Sequence, residues 1–266
     1  MYEQYWGLKE NPFKNTLDSR FFYISRAHQQ ALEMFDFVIS QQLGVAMLSG
    51  LFGSGKTLLS HVLIERLRDR FIFCVITNPK FSPQEMLAEI AYQLCKKDSL
   101  PQTKIELLHT IEEALNNNLQ EAKETIIIID EAQGIEESEV FEELRLLLNL
   151  QSNGRPLFNL FLLGHSQLEA KISNNKSLSQ RIAVRYHLDR LTNEETRNYL
   201  THRLDIAGST KPLFNPQAIE LIYELSSGIP RKINNLCGMA LFLGAQRKIE
   251  LVDEATVREV NSYLIV

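Results

Sequence analysis

A glycine-rich segment at residues 50–57 reads Gly-Leu-Phe-Gly-Ser-Gly-Lys-Thr, which is a complete G-x-x-x-x-G-K-[ST] pattern. Glycines allow the backbone amides of such a loop to turn toward phosphate oxygens, and a helix beginning near Lys56 directs its positive end at the same oxygens. We expect Lys56 to contact the β- and γ-phosphates of ATP and Thr57 to place its hydroxyl on Mg²⁺. The residues predicted to bind the nucleotide are Gly50, Gly53, Ser54, Gly55, Lys56 and Thr57 of this segment and Leu58, which follows it.

Two adjacent carboxylates, Asp130 and Glu131, follow a run of four isoleucines. Such an apolar run fits a strand buried on both faces. We expect Asp130 to hold the hydrated Mg²⁺ and Glu131 to orient and deprotonate the water that attacks the γ-phosphate. The alternative is that both acids only cap the next helix, but the phosphate-binding segment favours the catalytic reading. ATP and Mg²⁺ are therefore the predicted ligands.

The elements that must position these residues alternate between strands and helices up to about residue 190. Strands are predicted at 44–49, 71–77, 125–130, 159–163 and 182–188. Helices are predicted at 27–42, 56–70, 104–119 and 137–150, and a further helix begins at the Ser82/Glu85 capping pattern. The run Asn116–Asn118 is expected to break the helix at 104–119. This alternation favours a parallel sheet with helices on both faces.

Beyond residue 191 the pattern contains only helices. They are predicted at 193–207, with a Thr192/Glu195 cap, and at 216–227, 230–246 and 253–263. We therefore predict an α/β nucleotide-binding domain at residues 1–190, including an aromatic N-terminal segment, and a smaller all-α lid domain at 191–266.

Composition excludes several classes of protein. The chain has 28 Lys plus Arg and 33 Asp plus Glu, a net charge of −5, and 44% hydrophobic residues, which rules out a disordered chain. The mild acidity argues against a protein that coats DNA by bulk charge alone but leaves a local basic patch open. No apolar stretch reaches the roughly 18 residues of a membrane span, and the N-terminus lacks a signal-peptide pattern. The expected location is cytoplasmic, with no direct membrane span, and attachment to the inner membrane through a partner protein stays open.

The motifs together resemble those of an AAA+ P-loop NTPase and, more closely, the ExeA/GspA family of ATPases tied to type II secretion. The matching stretches are Tyr5–Leu8 to Pro12–Phe13, Phe22–Ser25 with His28 and Ala31–Leu32, Ile128–Gln133, Leu144–Leu147, Leu162–Gly164, Gln180–Ile182 with Arg185, and Ser227–Arg231 with Ile233–Asn234. The resemblance covers nearly the whole chain as the ATPase part of that family, whose secretion members often continue into a membrane span and a peptidoglycan-binding module.

The resemblance also implies roles for particular side chains. Arg231 resembles the sensor 2 arginine that reaches the γ-phosphate, and Arg181 resembles the arginine finger that enters a neighbouring subunit's site, with Arg185 as a second candidate. A surface ion pair is the alternative for each arginine. The predicted catalytic residues are Lys56, Glu131, Arg181 and Arg231, and the predicted Mg²⁺ ligands are Thr57 and Asp130.

Two further positions keep two interpretations each. A polar sensor 1 group is expected at His165 or Ser166, where relatives usually have Gln-Pro, although Ser166 could equally cap a helix. The aromatic residues Trp6 and Phe13 either cover the adenine or pack onto the core.

Two functions remain open from the sequence. The first is an ATPase that forms a homo-oligomeric ring or filament and acts as a motor or switch in assembly of secretion, exopolysaccharide or pilus machinery, through an envelope partner protein. The second is an ATP-dependent DNA-binding regulator of a transposase, of the MuB/TnsC kind. The net acidity weakens the second, because binding to DNA phosphates requires several Lys or Arg on one face.

Overall fold

The computed structural model describes residues 2–96 and 101–264 of the chain. The strands in this described part are β1 (Val45–Gly50), β2 (Phe71–Ile76), β3 (Glu124–Ile129), β4 (Gln151–Ser152), β5 (Arg155–Pro156), β6 (Phe158–Gly164) and β7 (Ile182–Leu188). The α-helices are α1 (Tyr2–Trp6), α2 (Arg26–Ser40), α3 (Lys56–Leu67), α4 (Pro83–Cys95), α5 (Lys104–Gln120), α6 (Ser138–Leu147), α7 (Ser166–Asn174), α8 (Lys176–Ser179), α9 (Asn193–Ile206), α10 (Pro216–Ser226), α11 (Pro230–Arg247) and α12 (Glu254–Tyr263). No helix within the described ranges has the length and apolarity that crossing a membrane requires.

The described residues form two compact units. One unit, called here the loop–lid unit, comprises 2–28, 51–58 and 189–264, and the other, the sheet unit, comprises 29–50, 59–96 and 101–188. The domain boundary predicted between residues 190 and 191 stays a prediction. The compact units are a different division, because the N-terminal segment and the glycine-rich loop group with the C-terminal helices.

The sheet unit contains the predicted parallel sheet. Its strand order is β2-β3-β6-β1-β7, and every neighbouring pair is parallel. The central strands β1, β3 and β6 are buried along almost their whole length, as expected for strands covered on both faces. The edge strand β7 instead alternates between half-buried and exposed residues before its last position. Because all five strands are parallel, their carboxyl ends lie at one edge of the sheet.

The loop–lid unit has its own hydrophobic core, in which the N-terminal segment packs against the C-terminal helices. The Trp6 indole nitrogen donates to the Leu241 carbonyl at 2.8 Å, and the Phe13 ring meets the Phe214 ring edge-on at 6.1 Å. Trp6 and Phe13 are each 4% exposed. Of the two interpretations of these aromatic residues, packing onto a core is therefore confirmed.

A buried arginine on α9 forms hydrogen bonds to the backbone of the same N-terminal segment. Arg203, 4% exposed, donates to the carbonyls of Pro12 and Lys14 at 2.5 and 2.8 Å and to the Tyr199 hydroxyl at 2.6 Å. Its guanidinium also lies over the Phe21 ring at 5.0 Å. The planar donor fork of arginine satisfies three acceptors at once, which a lysine ammonium on its single flexible stem does not match.

Several local features differ from the sequence prediction or escaped it. The expected break at Asn116–Asn118 is wrong, because α5 runs on to Gln120. The amide of Asn116 donates to the Glu112 carbonyl one turn back at 2.9 Å, and that of Asn118 donates to the Thr125 hydroxyl at 3.0 Å, so both side chains have partners while the helix continues. The prediction also lacks α7 and α8, and it lacks the β4–β5 hairpin, although the Asn-Gly pair at its turn is a strong hairpin signal.

Candidate nucleotide-binding site

The glycine-rich loop joins the end of β1 to the start of α3, as the motif predicts. Gly53 and Gly55 have φ values of +79° and +102°, in the left-handed region that favours glycine. The loop is closed internally, because the Ser54 amide donates to the Leu51 carbonyl at 3.2 Å. The Lys56 ammonium donates to the same carbonyl at 3.0 Å, and the side chain is only 6% exposed.

Two observations indicate that this loop fits a phosphate-bearing ligand. The Ser54 hydroxyl is buried and has no hydrogen-bond partner among the described residues. A buried polar atom without a partner is costly, so such an atom in a P-loop points to a ligand. The start of α3 at Lys56 adds the positive end of a twelve-residue helix directly after the loop.

His28 supports the loop from the start of α2, and sequence analysis missed this role. The ring is 3% exposed; Ser25 Oγ lies 2.6 Å from Nδ1, and the Ser54 carbonyl oxygen lies 3.2 Å from Nε2. Because a carbonyl only accepts, Nε2 carries the proton and Nδ1 accepts from the Ser25 hydroxyl. A Cβ on Gly55 would lie 3.0 Å from Nε2, so glycine allows this close approach. The only sequence signal is the Ser-x-x-His spacing, which places both residues at one helix start.

Burial fixes the protonation state of His28. It lowers the pKa of the imidazole to about 4, since the charged ring is poorly solvated there; the Ser54 carbonyl and Glu195 act weakly in the opposite direction. The ring is therefore neutral at physiological pH, which matches the tautomer required by its two partners.

Arg231, at the start of α11, lies against the same loop. Its backbone amide donates to the Gly53 carbonyl at 3.3 Å, and its guanidinium lies 4.8 Å from the centre of the exposed Phe52 ring. A Cβ on Gly53 would come within 2.7 Å of the Arg231 Cβ. The structure thus brings the predicted sensor 2 arginine and the glycine-rich loop together within the loop–lid unit.

The acidic pair lies in the sheet unit, directly after β3. Strand β6 separates β3 from β1, so the carboxyl ends of β3 and β1 are two strand spacings apart, about 10 Å. Asp130 is 3% exposed, and one of its carboxylate oxygens accepts from the Glu131 amide at 2.8 Å. Glu131 has a left-handed backbone, φ +51°, which is uncommon for a residue other than glycine and concentrates at functional sites.

Gln133 connects this pair to the end of β6. Its amide nitrogen donates to the Glu131 carboxylate, and its amide oxygen accepts from the His165 backbone N–H at 3.2 Å. His165, not Ser166, caps α7: its Nδ1 accepts from the Gln167 amide at 3.4 Å, and the helix begins at Ser166. The possible helix-cap role of Ser166 is therefore wrong. The choice between His165 and Ser166 as sensor 1 stays a prediction.

The two candidate finger arginines are exposed side chains of the sheet unit. Arg181 donates to the Asn149 side chain at 2.8 Å, and Arg185 donates to the Ser179 carbonyl and hydroxyl at 3.1 and 2.6 Å. Among the described residues their partners are neutral, so the alternative of a surface ion pair finds no support in that part of the chain. Their role at a neighbouring subunit stays a prediction.

Comparison with known proteins gives a matching family model, a related protein and similar solved structures. A family model described as the AAA domain matches residues 39–172, a range that includes Lys56 and Glu131 and ends before Arg181 and Arg231. General secretion pathway protein A of Aeromonas hydrophila is 34% identical over 253 residues, which cover 93% of this chain and 45% of that protein. The chain thus spans about half the length of the relative it matches.

Among solved structures, the similarity concerns the fold alone, because identities are low. Drosophila ORC bound to DNA has a TM-score of 0.74 at 15% identity, covering 97% of this chain and 65% of that one. Aeropyrum pernix ORC2, in ADPNP-ADP complexes, has a TM-score of 0.72 at 18% identity, covering 96% and 71%. Cdc6p of Pyrobaculum aerophilum has a TM-score of 0.70 at 16% identity, covering 92% and 70%.

Proposed function

Because the chain belongs to the AAA ATPase family, we propose that it binds ATP on the glycine-rich loop and hydrolyses it to ADP and phosphate. The observation that carries this proposal is the loop, in which the unpartnered Ser54 hydroxyl and the buried Lys56 combine with two left-handed glycines. Thr57 and Asp130 are the residues that would hold Mg²⁺, which when bound neutralises charge on the phosphates.

Other residues of the chain have separate proposed tasks in this reaction. Lys56 binds the β- and γ-phosphates as a charged donor, and Glu131 takes a proton from the attacking water. Arg231 contacts the γ-phosphate from α11, supported by its docking on Gly53 and Phe52. Arg181 serves the site of a neighbouring copy, which requires a homo-oligomer.

Two variants test the reaction. Lys56→Ala should weaken ATP binding at least tenfold, because it removes a hydrogen bond between charged groups. Glu131→Gln should keep ATP binding but lower turnover by about 100-fold or more, the usual contribution of a general base. Unchanged ATP affinity in the first variant, or normal turnover in the second, would contradict the assignment.

For the cellular role, we propose an ATP-dependent oligomeric switch that acts on secretion or other cell-envelope machinery in the cytoplasm, where ATP is available. The 34% identity to general secretion pathway protein A supports this choice. Glu131→Gln, which retains ATP, should form larger oligomers with ATP than Lys56→Ala does. It should also co-purify with envelope proteins that do not co-purify with Lys56→Ala. ATP-dependent, salt-sensitive binding of Glu131→Gln to duplex DNA would instead favour the transposition regulator.

A further inference from the structure

Gln133 lies between the proposed base and the end of a neighbouring strand, with both ends of its amide used. The nitrogen side contacts the Glu131 carboxylate, and the oxygen side accepts the His165 N–H at 3.2 Å. When the N–H of a side-chain amide donates to one partner and its oxygen accepts from another, turning the amide over would lose both hydrogen bonds. Gln133 therefore has a fixed direction that a surface glutamine lacks.

The surrounding backbone is shaped to permit this arrangement. Gly164, the last residue of β6, has no side chain, and a Cβ there would lie 2.5 Å from the Gln133 amide oxygen. Glu131 adopts a left-handed backbone, φ +51°, at the start of the short 3-10 turn Ala132–Gly134, which contains Gln133. This backbone costs about 1–3 kcal/mol elsewhere in proteins and persists where surrounding contacts hold it.

We infer that Gln133 is a positioning residue for ATP hydrolysis, which holds the Glu131 carboxylate in its working orientation and links it to the end of β6. This inference rests on the proposed function, because it assigns Glu131 the role of base. The Gln133 amide donates to one carboxylate oxygen of Glu131 and leaves the other oxygen available for the attacking water. The role assigned to Gln133 is exerted through Glu131 and requires no contact with the nucleotide.

Two substitutions separate the donor bond from the acceptor bond. Gln133→Ala removes both, whereas Gln133→Glu keeps an oxygen for the His165 N–H but places a carboxylate against that of Glu131. If donation to Glu131 matters, both variants should lower kcat by about 10- to 100-fold, the effect of losing a hydrogen bond to a charged group. ATP affinity, measured separately, should change less than twofold. Gln167→Ala, which truncates an exposed glutamine nearby, is the control and should retain wild-type kcat.

A double-mutant cycle tests whether Gln133 acts through Glu131. In a Glu131→Gln background, Gln133→Ala should lower the residual turnover by less than twofold, because the group being positioned is already lost. Gly164→Ala provides an independent perturbation: its Cβ displaces the amide and should lower kcat in the wild type, but less in the Gln133→Ala background.

Wild-type kcat in Gln133→Glu, or an equal loss in both backgrounds, overturns the inference. A loss of ATP affinity equal to the loss of kcat also overturns it. Failure of the proposed function would give other results: the wild type would not turn over ATP, or Glu131→Gln would turn it over normally. Thermal unfolding of each variant identifies any loss of fold, and Gln133→Glu keeps the length of the side chain if Gln133→Ala proves unstable.

Discussion

The buried imidazole of His28 predicts a specific pH dependence of stability for the loop–lid unit. In the folded chain burial lowers the pKa of His28 to about 4, whereas the reference value is 6.5. Between these two values the unfolded chain binds a proton that the folded chain excludes. The free energy of unfolding must therefore rise with pH across this window and fall as the pH drops from about 6.5 to about 4.

The size of the effect follows from the two pKa values. Each pH unit between the two pKa values changes the free energy of unfolding by about 1.4 kcal/mol. Most of the interval from pH 7 to pH 5 lies between those two pKa values. Lowering the pH from about 7 to about 5 should cost the wild type about 2 kcal/mol from this residue alone. His28→Gln cannot titrate, and its amide can still donate to the Ser54 carbonyl, so it should not show this loss.

Trp6 makes the measurement direct. It is the single tryptophan of the chain and is buried in the same unit as His28, so its fluorescence follows urea unfolding of that unit. The difference in unfolding free energy between wild type and His28→Gln should change by about 2 kcal/mol between pH 7 and pH 5. Other titrating groups are common to both proteins and cancel in that difference. The exposed His109→Gln is the control, and parallel pH curves for wild type and His28→Gln would refute the reasoning.

Three further perturbations have defined outcomes. In thermal unfolding, Gly228→Ala should destabilise the chain by about 3 kcal/mol or more, because its Cβ would lie 2.0 Å from the Leu191 carbonyl oxygen at a φ of +71°. The control Gly154→Ala, with a φ of +76° but no atom within 4 Å of the added Cβ, should cost only about 1–2 kcal/mol. Arg203→Lys should lower stability and speed proteolysis of the N-terminal segment, since it loses hydrogen bonds to the carbonyls of Pro12 and Lys14. Protease resistance equal to that of the wild type would show that these bonds do not hold the segment. Arg181→Ala should reduce ATP turnover only at protein concentrations where copies associate, and an equal loss in dilute monomer would exclude a finger role.

Local patterns predicted most of the secondary structure, because the relevant information lies within a few residues. The capping boxes at Ser82/Glu85 and Thr192/Glu195 are confirmed, with both reciprocal hydrogen bonds present in each. The predicted strands lie within one or two residues of those observed, since apolar runs between turn residues mark buried strands. The failure at Asn116–Asn118 shows the limit of local patterns. Propensity disfavours asparagine in a helix, but Asn118 donates to Thr125, which becomes its neighbour only when β3 packs beside α5.

The fold class, the glycine-rich loop and the position of the acidic pair after a buried strand can all be predicted from the sequence. These depend on side-chain period and on motifs whose members are adjacent in the chain. Three contacts emerge only in the folded chain: His28 lies against the Ser54 carbonyl, Arg203 binds the N-terminal segment, and Gln133 connects Glu131 to His165. Each of those contacts joins residues whose spacing fits no local period, or depends on a backbone such as the left-handed one at Glu131. Such contacts exist only after strands and helices have been brought together.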